Sequence, residues 1–255
     1  MPRNQSDPPD PFAARPRSPA AGRPDGAHPG AHSVSGVGAI SLPAVTLARA
    51  IASVLPHVSK DKTRPSINSV HVRVSRGHIM IEATDRYTMA IHRTPAVAKV
   101  SDDQVVDAWW DGDLDVMIGA DDAKRVMVFA KGVVGALPVT ITVSNEDWAD
   151  VTVAYGESIC LRTVHGDFPN IERLVPPAPD QHDGHVAFGA GNMAKVTASA
   201  LALKQGKDVP PVVMLAGKNA ASPCVFTIGD DLIGMLMPVR VDEPRAARAS
   251  WSGLL

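Results

Sequence analysis

The sequence has few of the residues on which specialised folds and sites depend. Its 255 residues include two cysteines, Cys160 and Cys224, which are too few for a disulfide framework and lack metal-site spacing. Aromatic residues make up 4 %, so a core has to be packed from Val, Ala, Leu, Ile and Met. No run of 18 apolar residues is present, and prolines and aspartates near the start replace a signal-peptide core. We therefore expect a cytoplasmic protein.

Motifs of catalysis are also absent. The sequence contains no HExxH, no G-x-S-x-G, no P-loop and no Cys-x-x-Cys pair, and its nine histidines are scattered. One glycine-rich stretch, Gly189–Ala194, fits the G-x-G-x-x-A pattern of a dinucleotide turn and leaves a small nucleotide-dependent enzyme as an alternative. Only 64 residues follow Gly191, which is too few for a doubly wound sheet, so we interpret the stretch as a tight turn into a helix.

The net charge of −2 excludes a uniformly basic, histone-like nucleic-acid binder but allows cations on one face. The only acids on the three predicted helices are Asp121 and Asp122, in a first turn, where they complement the helix dipole. We predict a cationic helix face for a polyanion, and the alternative is an ordinary solvated helix surface. The candidate DNA-facing residues are Arg49, Lys124, Arg125, Lys131, Lys195 and Lys204.

A pattern of strand, helix and three-strand meander recurs three times between residues 37 and 241. Unit one starts with a strand over 38–42 and a helix over 46–55, and unit two with a strand over 114–118 and a helix over 121–131. Unit three starts with a strand over 185–188 and a helix over 192–205. We therefore predict an α+β fold of three similar units.

The segments outside these units differ in composition. Residues 1–36 hold 8 of the 22 prolines and 4 of the 20 glycines, which predicts a disordered tail. A solubilising leader is the simpler interpretation, and contact of its arginines with phosphates is the alternative. Residues 242–255 form a second tail.

Four motifs occur in order along the units. They are TRPSIN at 63–68, IEATDRYTMAI at 81–91, GDFPNIERLVP at 166–176 and MLMPVRV at 235–241. In this order they resemble motifs of the bacterial DNA polymerase III sliding clamp (beta subunit) family. The abundance of Ala and Pro favours a GC-rich source, and we expect a shortened clamp of phage or actinobacterial type.

The resemblance implies a DNA-clamp fold, with a complete clamp domain over 37–176 and a half domain over 177–241. It implies a non-catalytic processivity factor without cofactor or metal, whose helices line a ring around double-stranded DNA and contact phosphates without reading sequence. Relatives close a ring from twelve units, so three units per chain suggest a homotetramer, with a smaller or open assembly as the alternative.

The resemblance also implies a pocket that binds short apolar peptides of the replicative polymerase and the clamp loader. Flexible methionines suit an adaptable groove, although core packing is the alternative for them. Thr88 and Met89 depart from the basic residue and the leucine of the family pattern, and these departures bear on the specificity of the pocket more than on its existence. A clamp-derived adaptor that binds such peptides without encircling DNA is the second functional hypothesis. The implied pocket residues are Ile67, Thr84, Arg86, Tyr87, Thr88, Met89, Pro176, Met235, Met237, Pro238, Val239 and Arg240.

Overall fold

The computed structural model describes residues 36–99, 108–134, 137–145, 147–153, 156–175 and 186–239. Unit one has the predicted order of elements, a strand and a helix followed by a meander. Its elements are β1 (Gly36–Pro43), α1 (Ala44–Val54), β2 (Ser69–Ser75), β3 (His78–Thr84) and β4 (Thr88–Pro95).

Unit two repeats this order, and unit three repeats it in part. Unit two consists of β5 (Val97–Ala98), β6 (Trp109–Gly119), α2 (Ala120–Gly132), β7 (Pro138–Asn145), β8 (Trp148–Val153) and β9 (Ser158–Arg162). Unit three consists of α3 (Ala190–Ala202), β10 (Val212–Leu215), β11 (Cys224–Ile228) and β12 (Leu232–Leu236). Two 3₁₀ turns cover Leu55–His57 and Glu172–Leu174. None of the described helices combines the length and the apolar character needed to cross a membrane.

The strand predicted over 185–188 is not formed. Residues 186–188 are described outside any strand, and His185 lies outside the described residues. A strand needs a neighbouring strand to satisfy its backbone N–H and C=O groups, and no second strand lies beside this segment in the described part of the chain. The prediction from local pattern was therefore wrong at this position.

Local sequence explains the first helix and the first hairpin. Leu47, Ile51 and Val54 recur on one side of α1 and are at most 1 % exposed, as expected for an amphipathic helix packed on a core. The β2–β3 hairpin turns through Arg76 and Gly77, whose φ angles are 51° and 74°. Two residues in the left-handed region form the tight turn that matches the twist of antiparallel strands, and glycine adopts this conformation without strain.

The described strands form one sheet in which units one and two exchange their first strands. The order is β10-β11-β12-β4-β3-β2-β6-β1-β7-β8-β9, with β5 beside β6. Strand β1 precedes α1 but pairs with β7 of unit two, and β6 precedes α2 but pairs with β2 of unit one. This exchange ties the two units into one two-unit domain.

Unit three joins the sheet through the pairing of β12 with β4. Met235 lies opposite Met89, and Gly234 lies opposite Ala90. A Cβ atom on Gly234 would overlap the ring of Phe226 and the carbonyl oxygen of Met89, so this close approach requires glycine. We call the β4–β12 contact the seam between units one and three.

Alternate residues of these strands face two separate cores. Ile79, Ile81 and Ala83 of β3 belong to the main core, which also contains the buried apolar residues of all three helices. Met89 and Ile91 of β4 belong to a second cluster on the opposite side, together with the segment around Phe168. We call the side of the sheet that the helices cover the helix face and the opposite side the groove face.

Candidate functional site

The groove face carries an apolar groove of about 210 Å³ at the seam between units one and three. Eight of the residues that the sequence analysis assigned to the peptide pocket line it, and three further residues complete the lining. The eight are Ile67, Thr84, Arg86, Tyr87, Thr88, Met89, Met235 and Met237, and the three are Pro169, Ile171 and Leu174.

Four of the assigned pocket residues are not in this lining. Pro176 and Arg240 lie outside the described residues. Pro238 and Val239 are described but do not line the groove, so the structure does not bring them together with the other eight. The backbone N–H of Val239 donates instead to the carbonyl oxygen of Ala187, at 2.8 Å, which directs the chain toward the start of α3.

The floor of the groove is a pair of methionines, one from each unit. Met89 and Met235 face each other across the seam and are 3 % and 7 % exposed. Met237 and Tyr87 form the exposed rim, and the Met237 N–H donates to the Tyr87 carbonyl oxygen at 2.9 Å. A buried flexible floor with an exposed apolar rim is suited to an apolar side chain of a partner.

The turn before β4 is held by the carboxylate of Asp85. Its Oδ1 accepts hydrogen bonds from the backbone N–H groups of Tyr87 and Thr88, at 3.0 and 2.7 Å, and its Oδ2 is bound by Lys195. Burial alone would raise the pKa of Asp85, but Lys195 and these N–H donors outweigh burial and lower it. The turn also places Arg86 at φ 79°, with its guanidinium 5.9 Å from the centre of the Tyr87 ring.

The segment 168–174, which we call the groove wall, closes the other side of the groove. Phe168 stacks on His71 with ring centres 4.5 Å apart. Arg73 donates from Nη2 to Glu82 at 2.6 Å and to Glu172 of the wall at 2.9 Å. The wall is therefore attached to β2 and β3 by one aromatic contact and one bridging guanidinium.

Beneath the wall these groups form a polar cluster in which His71 and Glu82 are buried and Arg73, Asp115 and Glu172 are partly exposed. The imidazole of His71 contacts Glu82 through Nδ1 at 3.2 Å and Asp115 through Nε2 at 2.7 Å. Burial disfavours the protonated ring, but its hydrogen bonds to the two carboxylates and their charges outweigh burial and raise the pKa of His71. Burial likewise opposes ionisation of Glu82, and His71 and Arg73 reverse that effect and lower its pKa.

Sequence reasoning missed the wall residues Pro169, Ile171 and Leu174. All three belong to the GDFPNIERLVP motif at 166–176, from which only Pro176 was assigned to the pocket. The signal was therefore present in the motif. Which of its side chains point into the groove depends on the 3₁₀ turn at Glu172–Leu174 and on the long-range contact of Glu172 with Arg73.

On the helix face, the predicted DNA-facing residues do not share one environment. Lys124 and Arg125 are exposed, and each pairs with an aspartate three residues earlier, Asp121 at 3.0 Å and Asp122 at 2.5 Å. Exposed pairs of this kind are weak and screened by salt, so both cations remain available to a stronger anion. The ion pair with Lys124 is also the main cause that lowers the pKa of Asp121.

The remaining predicted cations lie around α1 and α3. Arg49 and Lys131 line one depression between the helices, of about 520 Å³, whose other walls include Ala48, Ala52 and Ala130. Lys204 is exposed just beyond the end of α3.

Lys195 is placed differently, because it is partly buried and binds Asp85 of the groove turn. Lys195 therefore links units one and three and is not part of the cationic surface that Arg49, Lys124, Arg125, Lys131 and Lys204 form.

The glycine-rich stretch Gly189–Ala194 forms the first turn of α3 and lacks the structure of a dinucleotide site. Gly189 is the N-cap with ordinary extended backbone, and the residues before it are not a strand. A dinucleotide turn requires a strand that leads directly into the helix. The nucleotide-dependent alternative therefore loses its structural context.

This arrangement of sheet, helices and seam is the fold of a bacterial DNA sliding clamp. The DNA polymerase III beta subunit of Thermotoga maritima matches 80 % of this chain with a TM-score of 0.61 and 11 % identity. The sliding clamp of Bacillus subtilis matches 80 % of it with a TM-score of 0.61 and 14 % identity. A sliding clamp of Pseudomonas aeruginosa bound to griselimycin matches 80 % of it with a TM-score of 0.63 and 13 % identity.

The likeness is one of fold and covers only part of each clamp. The matched region spans 65 % of the Thermotoga chain, 64 % of the Bacillus chain and 65 % of the Pseudomonas chain. At the sequence level no protein-family model and no curated protein matches.

Proposed function

We propose that the protein is a DNA sliding clamp, a non-catalytic processivity factor that encircles duplex DNA and tethers the replicative polymerase. The observation that carries the proposal is the groove at the seam of a clamp fold. Eight residues chosen from sequence motifs more than 140 positions apart line that one groove. The groove would take short apolar motifs of the replicative polymerase and the clamp loader, and a protein with these partners belongs in the cytoplasm.

The helix face would meet the phosphates of DNA. Its candidate cations Arg49, Lys124, Arg125, Lys131 and Lys204 are attached to helices or lie just beyond one. Such cations attract a polyanion without reading its sequence, which is what a ring that slides requires.

The experiment that tests this function compares DNA topologies. The protein, loaded on nicked circular DNA, is passed through a gel-filtration column before and after the circle is cut once. We expect co-elution with the circle, loss after cutting, and retention on linear DNA whose ends are blocked by bound protein. Equal retention on circular and open linear DNA would overturn the proposal.

For the ring itself we propose four chains. A ring of twelve units of helix and meander, the number inferred from the family resemblance, takes four chains of three units. Light scattering at micromolar concentration measures the mass directly. A mass near one or two chains would exclude the four-chain ring.

The second candidate function is an adaptor that binds polymerase peptides without encircling DNA. The observation that favours it is the contact of Lys195 with Asp85, which engages one of the six predicted DNA-facing cations in the structure of the groove turn. An adaptor would bind the peptides yet show no difference between circular and linear DNA.

A further inference from the structure

The two units of the complete domain are joined by a contact that occurs twice. The N–H of Ala44, the first residue of α1, donates to the carbonyl oxygen of Leu137, just before β7, at 3.0 Å. The N–H of Ala120, the first residue of α2, donates in the same way to Asn68, just before β2, at 3.0 Å. Each unit thus docks the start of its helix, and the strand before it, on the first meander strand of the other unit.

The paired strands have the same register in both cases. Pro43 lies opposite Pro138, and Gly119 lies opposite Ser69, immediately before those hydrogen bonds. Units one and two are therefore related by an approximate two-fold axis that exchanges their first strands. Such an exchange is self-complementary, since each side gives and receives the same element.

Unit three has both halves of this contact but makes neither within the described residues. Its first meander strand, β10, pairs with β11 alone and forms the end of the sheet. The segment before α3, residues 186–189, belongs to no strand, and among described residues the first N–H of the helix, that of Ala190, has no backbone acceptor.

The open edge exposes residues whose counterparts are buried. Val212 and Met214 pair with Ile228 and Phe226 of the main core, so they point to the same side as the core residues of β7 and β2. The β7 counterparts of Val212 and Met214, Val139 and Ile141, are 1 % and 0 % exposed, whereas Val212 is 36 % exposed. Val213 on the other side of β10 is 50 % exposed. An apolar edge strand with unpaired N–H and C=O groups is a template for pairing with another chain, and β10 presents an apolar edge of four residues, Val212–Leu215.

We propose that this edge binds a second copy of the chain, with unit three of each copy completing a two-unit domain with unit three of the other. Residues 186–189 of one copy lie antiparallel to β10 of its partner, and the partner returns the same contact. The inference deepens the proposed function, because a ring of several chains needs a contact between copies, but its evidence is the two-fold relation of units one and two and not DNA or peptide binding.

The internal symmetry also fixes the register. Pro211 takes the place of Pro138, so that Gly189 lies opposite Pro211 and Phe188 lies opposite Val212. Ala187 then lies opposite Val213 at a position equivalent to the Ser41–Thr140 pair. At that position the strands are closest and exchange no hydrogen bond between the two residues, which is the geometry that suits a disulfide across strands.

The first test is a disulfide between copies. Ala187→Cys with Val213→Cys, in a Cys160→Ser background because Cys160 is the exposed native cysteine, should form a covalent two-chain species on mild oxidation. Ala187→Cys with Leu215→Cys is the matched control, since Leu215 is also exposed but two residues out of register. Efficient cross-linking of the first pair alone supports the interface. Absence of cross-linking, or equal cross-linking of both pairs, overturns it.

The second test uses mass in solution. Val212→Arg places a charge in the interface and should halve the mass measured by light scattering, to one chain from two or to two from four. Val134→Arg is the control, because Val134 is 87 % exposed and far from the edge in sequence. A single-chain mass for the unaltered protein, or an unchanged mass for Val212→Arg, overturns the proposal.

The outcomes are separable from those of the DNA experiment. If the specific disulfide forms but the protein is retained equally on circular and linear DNA, the pairing of copies is supported and the clamp function is excluded. If the protein is retained only on circular DNA but the disulfide does not form, the clamp function is supported and this pairing of copies is excluded.

Discussion

In the polar cluster of the groove face, His71 and Glu82 are buried and Arg73 is partly buried, and the cluster joins distant parts of the chain. On the helix face, Lys124 and Arg125 are exposed and pair with near neighbours. Arg73 joins Glu82 and Glu172, which is 99 positions away. Lys124 pairs with Asp121 within one helical turn. Buried networks of the first kind fix geometry, while exposed pairs of the second kind open readily and are screened by salt. The polar cluster therefore holds the groove face in one geometry, whereas the exposed cations of the helix face can exchange their partners.

The largest expected effect is loss of the bridging guanidinium on the groove face. Arg73→Met leaves the buried carboxylate of Glu82 without its shortest partner, and breaking a buried ion pair in this way costs about 3–5 kcal/mol of unfolding free energy. Urea denaturation measures the loss. Arg76→Met is the matched control, since Arg76 is largely exposed and 3.7 Å from Glu172, and its effect should stay below about 0.5 kcal/mol. Equal losses of unfolding free energy in the two variants would contradict the distinction between buried and exposed ion pairs on which the comparison of the faces rests.

The buried histidines sharpen the comparison, because those of the two faces respond to pH in opposite directions. Burial lowers the pKa of His57 and of His92, in the core beneath the helices, to about 4. Between pH 6.5 and about 4 the unfolded chain binds protons that these residues do not, so acidification lowers the unfolding free energy. The slope is about 1.4 kcal/mol per pH unit for each residue. His71 has a raised pKa, so its contribution is complete below pH 6.5 and is lost as the pH rises through its folded value.

His57→Gln and His71→Gln separate these two contributions. Relative to the unaltered protein, His57→Gln should gain stability as the pH falls from 6.5, and His71→Gln should lose it as the pH falls toward 6.5 from above. Denaturation curves over the pH range measure both. The same sign for the two variants would contradict the assignment of opposite pKa shifts.

The groove itself is tested by truncating its rim. Met237→Ala removes an apolar contact surface and should weaken the binding of a polymerase-derived peptide by about 1–2 kcal/mol, as truncation of an interface anchor does. Fluorescence anisotropy with the labelled peptide measures the affinity. Val239→Ala is the control, because Val239 is also exposed but does not line the groove. An unchanged affinity for Met237→Ala with the fold intact would move the peptide site elsewhere.

The smallest expected effect belongs to the helix-face charges. Lys124→Ala with Arg125→Ala should lower DNA affinity and flatten its dependence on salt by about one unit of slope for each phosphate that is no longer neutralised. Arg49→Ala with Lys131→Ala should do so at least as strongly, because these two residues line the depression between the helices. Titrations at several salt concentrations measure the slope. An unchanged salt dependence for both double variants would mean that these cations are ordinary solvated surface residues.

The sequence predicted most of the local structure and much of the groove. Apolar periodicity located all three helices, and the ordered motifs selected Met89 and Met235, which meet across the seam although they lie far apart in the chain. These predictions succeeded because the signals are local: a period of about 3.6 or 2 residues, and short motifs with a fixed role.

The features that local patterns did not reveal depend on distant partners. Residues 186–188, the described part of the strand predicted over 185–188, form no strand, because a strand forms only beside another strand and no local pattern reports that neighbour. Lys195 was predicted to face DNA from its place on α3, and that stays a prediction; its contact with Asp85, 110 positions earlier, could not be read from the local pattern. The contribution of Ile171 and Leu174 to the groove likewise depends on the attachment of the wall to Arg73. Pairings of this length are decided by the assembled fold.

The seam beneath the groove has a consequence for folding. Since Met89 and Tyr87 come from unit one and Met235 and Met237 from unit three, the groove exists only in molecules whose third unit has docked. A peptide that binds it therefore adds its own binding free energy to docking, about 2.7 kcal/mol at a concentration of about 100 times its Kd. The peptide would therefore stabilise the docked form, and variants with a weakened seam should regain stability when the peptide is present.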